Sequence, residues 1–297
     1  MEISMERAPR ESAQRPARAQ AGAEARMRWA VVRRLARREV AGALAGPSLY
    51  LMVTLACLIA AVLVKSYLDY VSANGTLVLA EPLKGPLLFA VIAMTGYLGL
   101  AAAAGLAGER ERGTLEVLFY GPVDAPGYIG GKLLGHLATY GLAIAALAVF
   151  LGVAALLSGM PLGTSTLLLL VASLLPAAAM IAIGLLLAAL VGRIRPALAL
   201  TATAIAVLVA IDAGTEFAAA QPGDTLLGSA AGLLSAIAAV TSWISPFGYL
   251  WRAADGFALG SAGDVLLDLG VALFYAALLT VLAVVALRKR GVARWRE

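Results

Sequence analysis

Four successive charges, Glu109-Arg110-Glu111-Arg112, interrupt an otherwise apolar stretch of the chain. In hydrocarbon each charge would cost about 2.5–3.5 kcal/mol on the insertion scale, so this run marks a segment in water. Continued as a short helix, Glu109, Arg112 and Glu116 share one face and can pair at i,i+3 and i,i+4. Leu115, Leu118 and Phe119 form an apolar patch beside them. Gly113 permits a close backbone approach, and Gly121-Pro122 ends the helix. The chemistry on offer is recognition: a capped amphipathic knob suited to a groove on another protein. The alternative is a solvated loop whose charges only hold topology.

Other reactive residue types are sparse. His136 is the single histidine, with Lys132 at i−4, and reads as a packed or carbonyl-bonded side chain rather than a proton relay. Cys57, the single cysteine, lies in an apolar run and permits no internal disulfide. Asp212 and Glu216 share a helix face at i,i+4, either as a helix end reaching water or as an acidic vestibule for a cationic or zwitterionic ligand. No G-x-x-x-x-G-K-[ST] is present: Pro126 stands where the first glycine is needed before Gly131-Lys132, and Leu133 follows. Paired aspartates, a Ser/His couple and a metal-ligand cluster are likewise missing from the apolar runs, which argues against an intramembrane enzyme.

The elements that must position these residues are membrane helices. Of 297 residues, 61% are hydrophobic and 14% charged, too little polar surface to cover a soluble core. Spanning a bilayer takes about 20 apolar residues. Runs of that size fall at about 49–68, 86–107, 132–157, 166–191, 198–217 and 264–287. The expected fold is therefore an all-α polytopic membrane protein with about six spans, filling 47–290. Residues 1–26 read as a disordered basic extension, and Met27, where organised sequence begins, is a candidate start. Residues 27–46 form an amphipathic helix with Trp29 on its apolar stripe and Arg33 and Arg37 opposite. Its expected place is the cytoplasmic interface, with the stripe in the headgroups.

Charge sets the orientation. With both termini cytoplasmic, 20 of the 23 basic residues fall on the inner side; Lys65, Lys84 and Arg252 are the exceptions. A seventh span at 225–244 would export the basic tail at 291–297. That stretch reads instead as an outer re-entrant or interfacial hairpin between spans five and six. The spacing Gly131-x-x-x-Gly135 suits close helix packing and is a possible dimer seam.

The ordered set of motifs resembles the permeases of ABC transporters of the ABC-2 type. It comprises Glu109-x-Glu111-x-Gly113-Thr114-Leu115-Glu116, then Pro122-Val123, then Gly131-Lys132 entering a span. Arg38-Glu39, Pro47-Ser48 and Tyr50 resemble the family's entry to its first span. Ser245-Pro246-Phe247, Gly256, Asp264 and the basic tail resemble its last third, particularly in the gliding-motility and nitrous-oxide-reductase-maturation branch. The similarity covers most of residues 27–297; the extension before Met27 and the few prolines in 86–107 depart from it.

The resemblance implies a permease without bound cofactor, with ATP and magnesium held by a separate ATP-binding subunit. It implies a second permease copy, identical or related, in a bacterial cytoplasmic membrane, and no nucleic-acid partner. Glu109, Arg112, Gly113, Thr114, Leu115, Glu116, Leu118, Pro122 and Lys132 would serve ATPase coupling. Trp29, Arg33, Arg37 and Glu39 would belong to the interface helix. Export of a hydrophobic or amphiphilic substrate is the expected activity, and a non-transporting membrane anchor of a maturation complex is the alternative.

Overall fold

The computed structural model describes residues 8–75, 81–121, 123–219 and 226–291, with side chains from Arg26 onward except at 212–231, Leu234, Ala262 and 290–291. Its elements are α1 (Ala8–Ala45), α2 (Ser48–Asn74), α3 (Lys84–Glu111), α4 (Thr114–Tyr120), α5 (Ala125–Ser158), α6 (Thr164–Ala172), α7 (Leu174–Val191), α8 (Ile194–Ala219), α9 (Leu226–Thr241), α10 (Pro246–Leu259) and α11 (Ala262–Gly291). Among the described residues, six helical segments are long and apolar enough to cross a membrane: α2, α3, α5, α6 with α7, 194–211 of α8, and 263–289 of α11. The protein is a multi-pass α-helical membrane protein.

Two spans form the centre. More than half of the apolar window of α3, and of α6 with α7, is enclosed by other helices; the remaining spans turn most of theirs outward. Small residues make the central contact possible. A Cβ placed on Gly184 of α7 would overlap the backbone carbonyl of Gly99 on α3, so the two helices cross backbone to backbone. Around them, α11 packs on α7, α2 on α3, and α8 along both α3 and α7.

The ends of α3 orient the bundle. Its first residue, Lys84, pairs with Asp255 of α10 at 3.2 Å, and its last adjoins α4. A 28-residue helix spans about 42 Å. Hence α10 and α4 lie at opposite ends. Arg38, Arg110, Arg112, Lys132, Arg193 and Arg288 gather at the α4 end, in the charge segregation the sequence suggests.

Several boundaries differ from expectation. The third span begins at Ala125 rather than 132, because Asp124 accepts from the Gly127 amide at 2.9 Å and Pro126 sits in the first turn, where its missing N–H costs nothing. The first helix starts at Ala8, inside the segment expected to be disordered, where Ala, Arg, Gln and Glu favour helix. Residues 226–241 form one helix, α9, packed along α8. Then Ser245 caps α10, with Pro246 as its first residue, and Phe247, Leu250, Ala253 and Ala254 bury one face against α6, α7 and α11. At 16 and 14 residues, α9 and α10 are each shorter than a spanning segment.

The α3–α7 crossing yields a direct test. Gly184→Ala should destabilise the protein by about 1–3 kcal/mol through overpacking against backbone. Gly152→Ala, where a Cβ meets nothing within 4 Å, should leave it unchanged or slightly more stable. Apparent melting temperatures of both variants in detergent check the contrast.

Candidate functional site

The charged run is not one helix. It ends α3 at Glu111, and Gly113 adopts φ +71°, the left-handed region in which a Cβ is strained. The Thr114 hydroxyl donates to the Glu109 carbonyl at 2.9 Å and closes the corner. Glu109 therefore belongs to α3, Arg112 to the joint and Glu116 to α4. The shared face expected for these three is replaced by a helix break.

Beyond the break, α4 is an amphipathic knob. Leu115 is buried, and Leu118 and Phe119 pack on the core, with the Phe119 ring edge-on to Tyr128 at 6.1 Å. Thr114, Glu116, Val117 and Tyr120 remain exposed.

The four charges each face a different neighbour. Arg110 donates to the Ala189 carbonyl at 3.1 Å, placing a cation at the C-terminal end of α7. Glu111 accepts the Ile194 amide at 3.2 Å, placing an anion at the N-terminus of α8. The corner between those helices is Gly192, with φ +76°, and a Cβ there would strike the Arg110 guanidinium. Arg112 stays exposed and has no ion pair among the described residues.

Glu109 turns inward to a network that sequence spacing does not reveal. Its Oε1 accepts from Lys132 at 2.9 Å and from Arg38 at 2.5 Å, and its Oε2 accepts from the Tyr128 hydroxyl at 2.6 Å. Lys132 also donates to Glu39 at 2.8 Å. The Lys132 side chain is only 2% exposed, so both carboxylates are needed to hold its charge away from water. Arg38 and Glu39 come from α1, Glu109 from α3, and Tyr128 and Lys132 from α5. One cluster thus ties the stem of the α4 knob to the two helices on which it rests.

Glycines in α5 let α1 come this close. A Cβ at Gly131 would lie 2.6 Å from that of Leu35, and one at Gly135 would lie 2.6 Å from that of Glu39. Gly131-x-x-x-Gly135, expected as a possible dimer seam, is thus occupied by α1 of the same chain, and the Leu35 side of the α1 stripe packs on α5. Arg33 and Arg37 are exposed, and so is Trp29, which was expected on the stripe opposite them.

Beside the cluster lies a cavity of about 520 Å³ between α1, α2, α3 and α5. His136 borders it, and its Nε2 is buried without a hydrogen-bond partner among the described residues. Pro122 and the side chains of Asp212 and Glu216 lie outside the described residues. Cys57 is a half-buried free thiol. Among the described residues no group of three or more His, Cys, Asp and Glu is placed to hold a metal ion.

Two results from comparison with known proteins complete the picture. The family model for the ABC-2 type transporter matches residues 30–211, which include the paired motifs at Arg38-Glu39 and Glu109–Lys132. No curated protein matches the chain. The chain belongs to the ABC-2 type transporter family, and is a membrane permease component of an ABC transporter. Families of this kind work with an ATP-binding subunit.

A double-mutant cycle tests the network. Glu109→Gln and Lys132→Met should each lower stability by about 3–5 kcal/mol, because each strands a buried charge. The double variant should be less damaged than the two losses added, with a coupling of about 0.5–3 kcal/mol. Additive losses in apparent melting temperature would mean that the two side chains are independent.

Proposed function

We propose that the α4 knob is the seat of a separate ATP-binding subunit, and that the Arg38–Glu39–Glu109–Lys132 cluster carries the ATPase's motion into the spans. The single observation supporting this most strongly is the buried Glu109. It stands one turn before the knob and is bonded to α1 and α5 together. A push on Val117 or Glu116 therefore reaches three helices through short charge-assisted bonds rather than through a flexible loop. Arg110 and Glu111 extend the same stem to the α7–α8 corner. Nucleotide binding would favour one packing of these helices over another by its differential affinity for the two.

In this reading α4, the basic residues around it and both termini face the cytosol of a bacterial cell, as the asymmetry of Lys and Arg supports. Two permease copies, identical or related, enclose the pathway between them. Helix α8 contributes the least enclosed span, with Leu200, Val207 and Val209 on its exposed side, and would supply part of the contact between copies. ATP and magnesium reside on the ATPase, and the permease itself holds no cofactor. The direction is export and the cargo hydrophobic or amphiphilic, in keeping with apolar spans that carry few charges. The motif set supports placement in the gliding-motility and nitrous-oxide-reductase-maturation branch. There, a non-transporting anchor for a maturation complex is the competing role, and failure to stimulate any ATPase would favour it.

The test is co-purification with the ATP-binding subunit, followed by ATP turnover. Val117→Asp should abolish co-purification, because it puts a charge on an exposed aliphatic position of the knob. Glu109→Gln should keep the partner bound but reduce permease-stimulated turnover by about tenfold or more, a rise of about 1.4 kcal/mol in the activation barrier. Full stimulation by both variants would remove the assignment. For orientation, Glu116→Cys in a Cys57→Ser background should resist an impermeant thiol reagent in sealed cells and react in inverted vesicles.

A further inference from the structure

From the cavity beside the ion network we infer a binding site for an anionic single-chain amphiphile, entered from the α4 side of the membrane. The cavity follows α3 from Tyr97 to Glu109, a distance of about 18 Å along the helix axis. Its volume of about 520 Å³ falls within the usual range of about 300–1,000 Å³ for small-molecule sites. Along that path α3 presents Ala101, Ala104 and Gly105, each only half-buried although their neighbours Ala102, Ala103 and Leu106 are fully enclosed. The small residues leave a slot, and Met52 and Leu98 supply its apolar walls.

The two ends of the slot differ in chemistry. Tyr97 stands at the apolar end. At the other end three cations, Arg38, Arg112 and Lys132, meet two carboxylates, Glu39 and Glu109. Both oxygens of Glu109 are already occupied, and Glu39 is engaged by Lys132. One positive charge is left unmatched, and the Arg38 side chain, about half exposed, has further N–H groups to offer. His136 borders the slot one turn beyond Lys132, and its Nε2 has no hydrogen-bond partner among the described residues. A net positive anchor at one end and an apolar tail channel together select a carboxylate- or phosphate-headed chain over a neutral or cationic one.

This inference goes beyond the ATP-coupling proposal and stands apart from it, since binding is read without any ATPase present. The full chain in phosphatidylcholine nanodiscs should bind labelled lysophosphatidylglycerol saturably. Lysophosphatidylcholine, with the same chain but a zwitterionic head, and inorganic phosphate, with no chain, should bind at least about tenfold more weakly. Ala101→Phe, which fills the slot without touching the ion network, should weaken binding by a similar factor while still co-purifying with the ATPase.

In the unaltered protein, a lysophosphatidylglycerol carrying a photoreactive group on its chain should label α3 between Tyr97 and Gly105. That measurement decides the matter even if Ala101→Phe fails to fold. Adding phosphatidylglycerol to the nanodisc separates two sources of the same chemistry: loss of probe binding identifies a resident bilayer lipid, and retained binding a transported amphiphile, and either sustains the site. Equal affinity for lysophosphatidylcholine, undiminished binding by a folded Ala101→Phe, or labelling confined to the lipid-facing surface of α5 or α11 would overturn it.

Discussion

An ammonium group with almost no access to water sets the terms for one end of this molecule. Lys132 sits a little over two turns into α5, and its charge is tolerable only with carboxylates from two other helices against it. That requirement fixes where α1 lies, how far α3 extends before it turns, and why α5 must begin early enough to carry Tyr128 to the same spot. Buried ion clusters contribute modestly to stability compared with well-packed apolar groups. Their contribution here is geometric: three helices are held in one register at the point where the chain turns toward α4.

Close packing by small residues makes that register reachable. Gly131 and Gly135 let α1 lie against α5, and Gly99 and Gly184 bring α3 and α7 into backbone contact. In a bilayer, lipid tails match apolar side chains, so helices associate through close packing and polar bonds rather than through hydrophobic burial. The abundant alanine and glycine, weakly informative as composition, become specific once their partners are known. The central α3 uses one face for α7 and another for the slot beside α1 and α2, and small side chains serve both.

Much of the architecture was legible because hydrocarbon imposes it. Six apolar runs became six span-length helical segments among the described residues, and Arg38, Arg110, Arg112 and Arg193 lie together at one end. What escaped detection depends on partners distant in sequence. Glu109 reads locally as one member of an exposed charged face, but its ligand Arg38 lies 71 positions away, beyond any periodicity. The early start of α5 was in fact written in Asp124-Ala125-Pro126, a capping residue followed by proline, and the same signal in Ser245-Pro246 announces α10. Both prolines look like loop punctuation until their first-turn position is considered. The packing of Leu35 on α5 was hidden for a related reason: an amphipathic helix does not reveal whether its apolar side meets headgroups or another helix.

The crossing of Gly99 with Gly184 also has a mechanical meaning. Gly184 sits directly on the Gly99 carbonyl, beside Met180, so the contact resists closer approach and can serve as a fulcrum. It divides α3 into an arm of about 18 Å toward Glu111 and one of about 22 Å toward Lys84. A stiff helix tilting there swings its two tips in opposite directions by nearly equal amounts, and the far tip is the one bonded to Asp255 of α10.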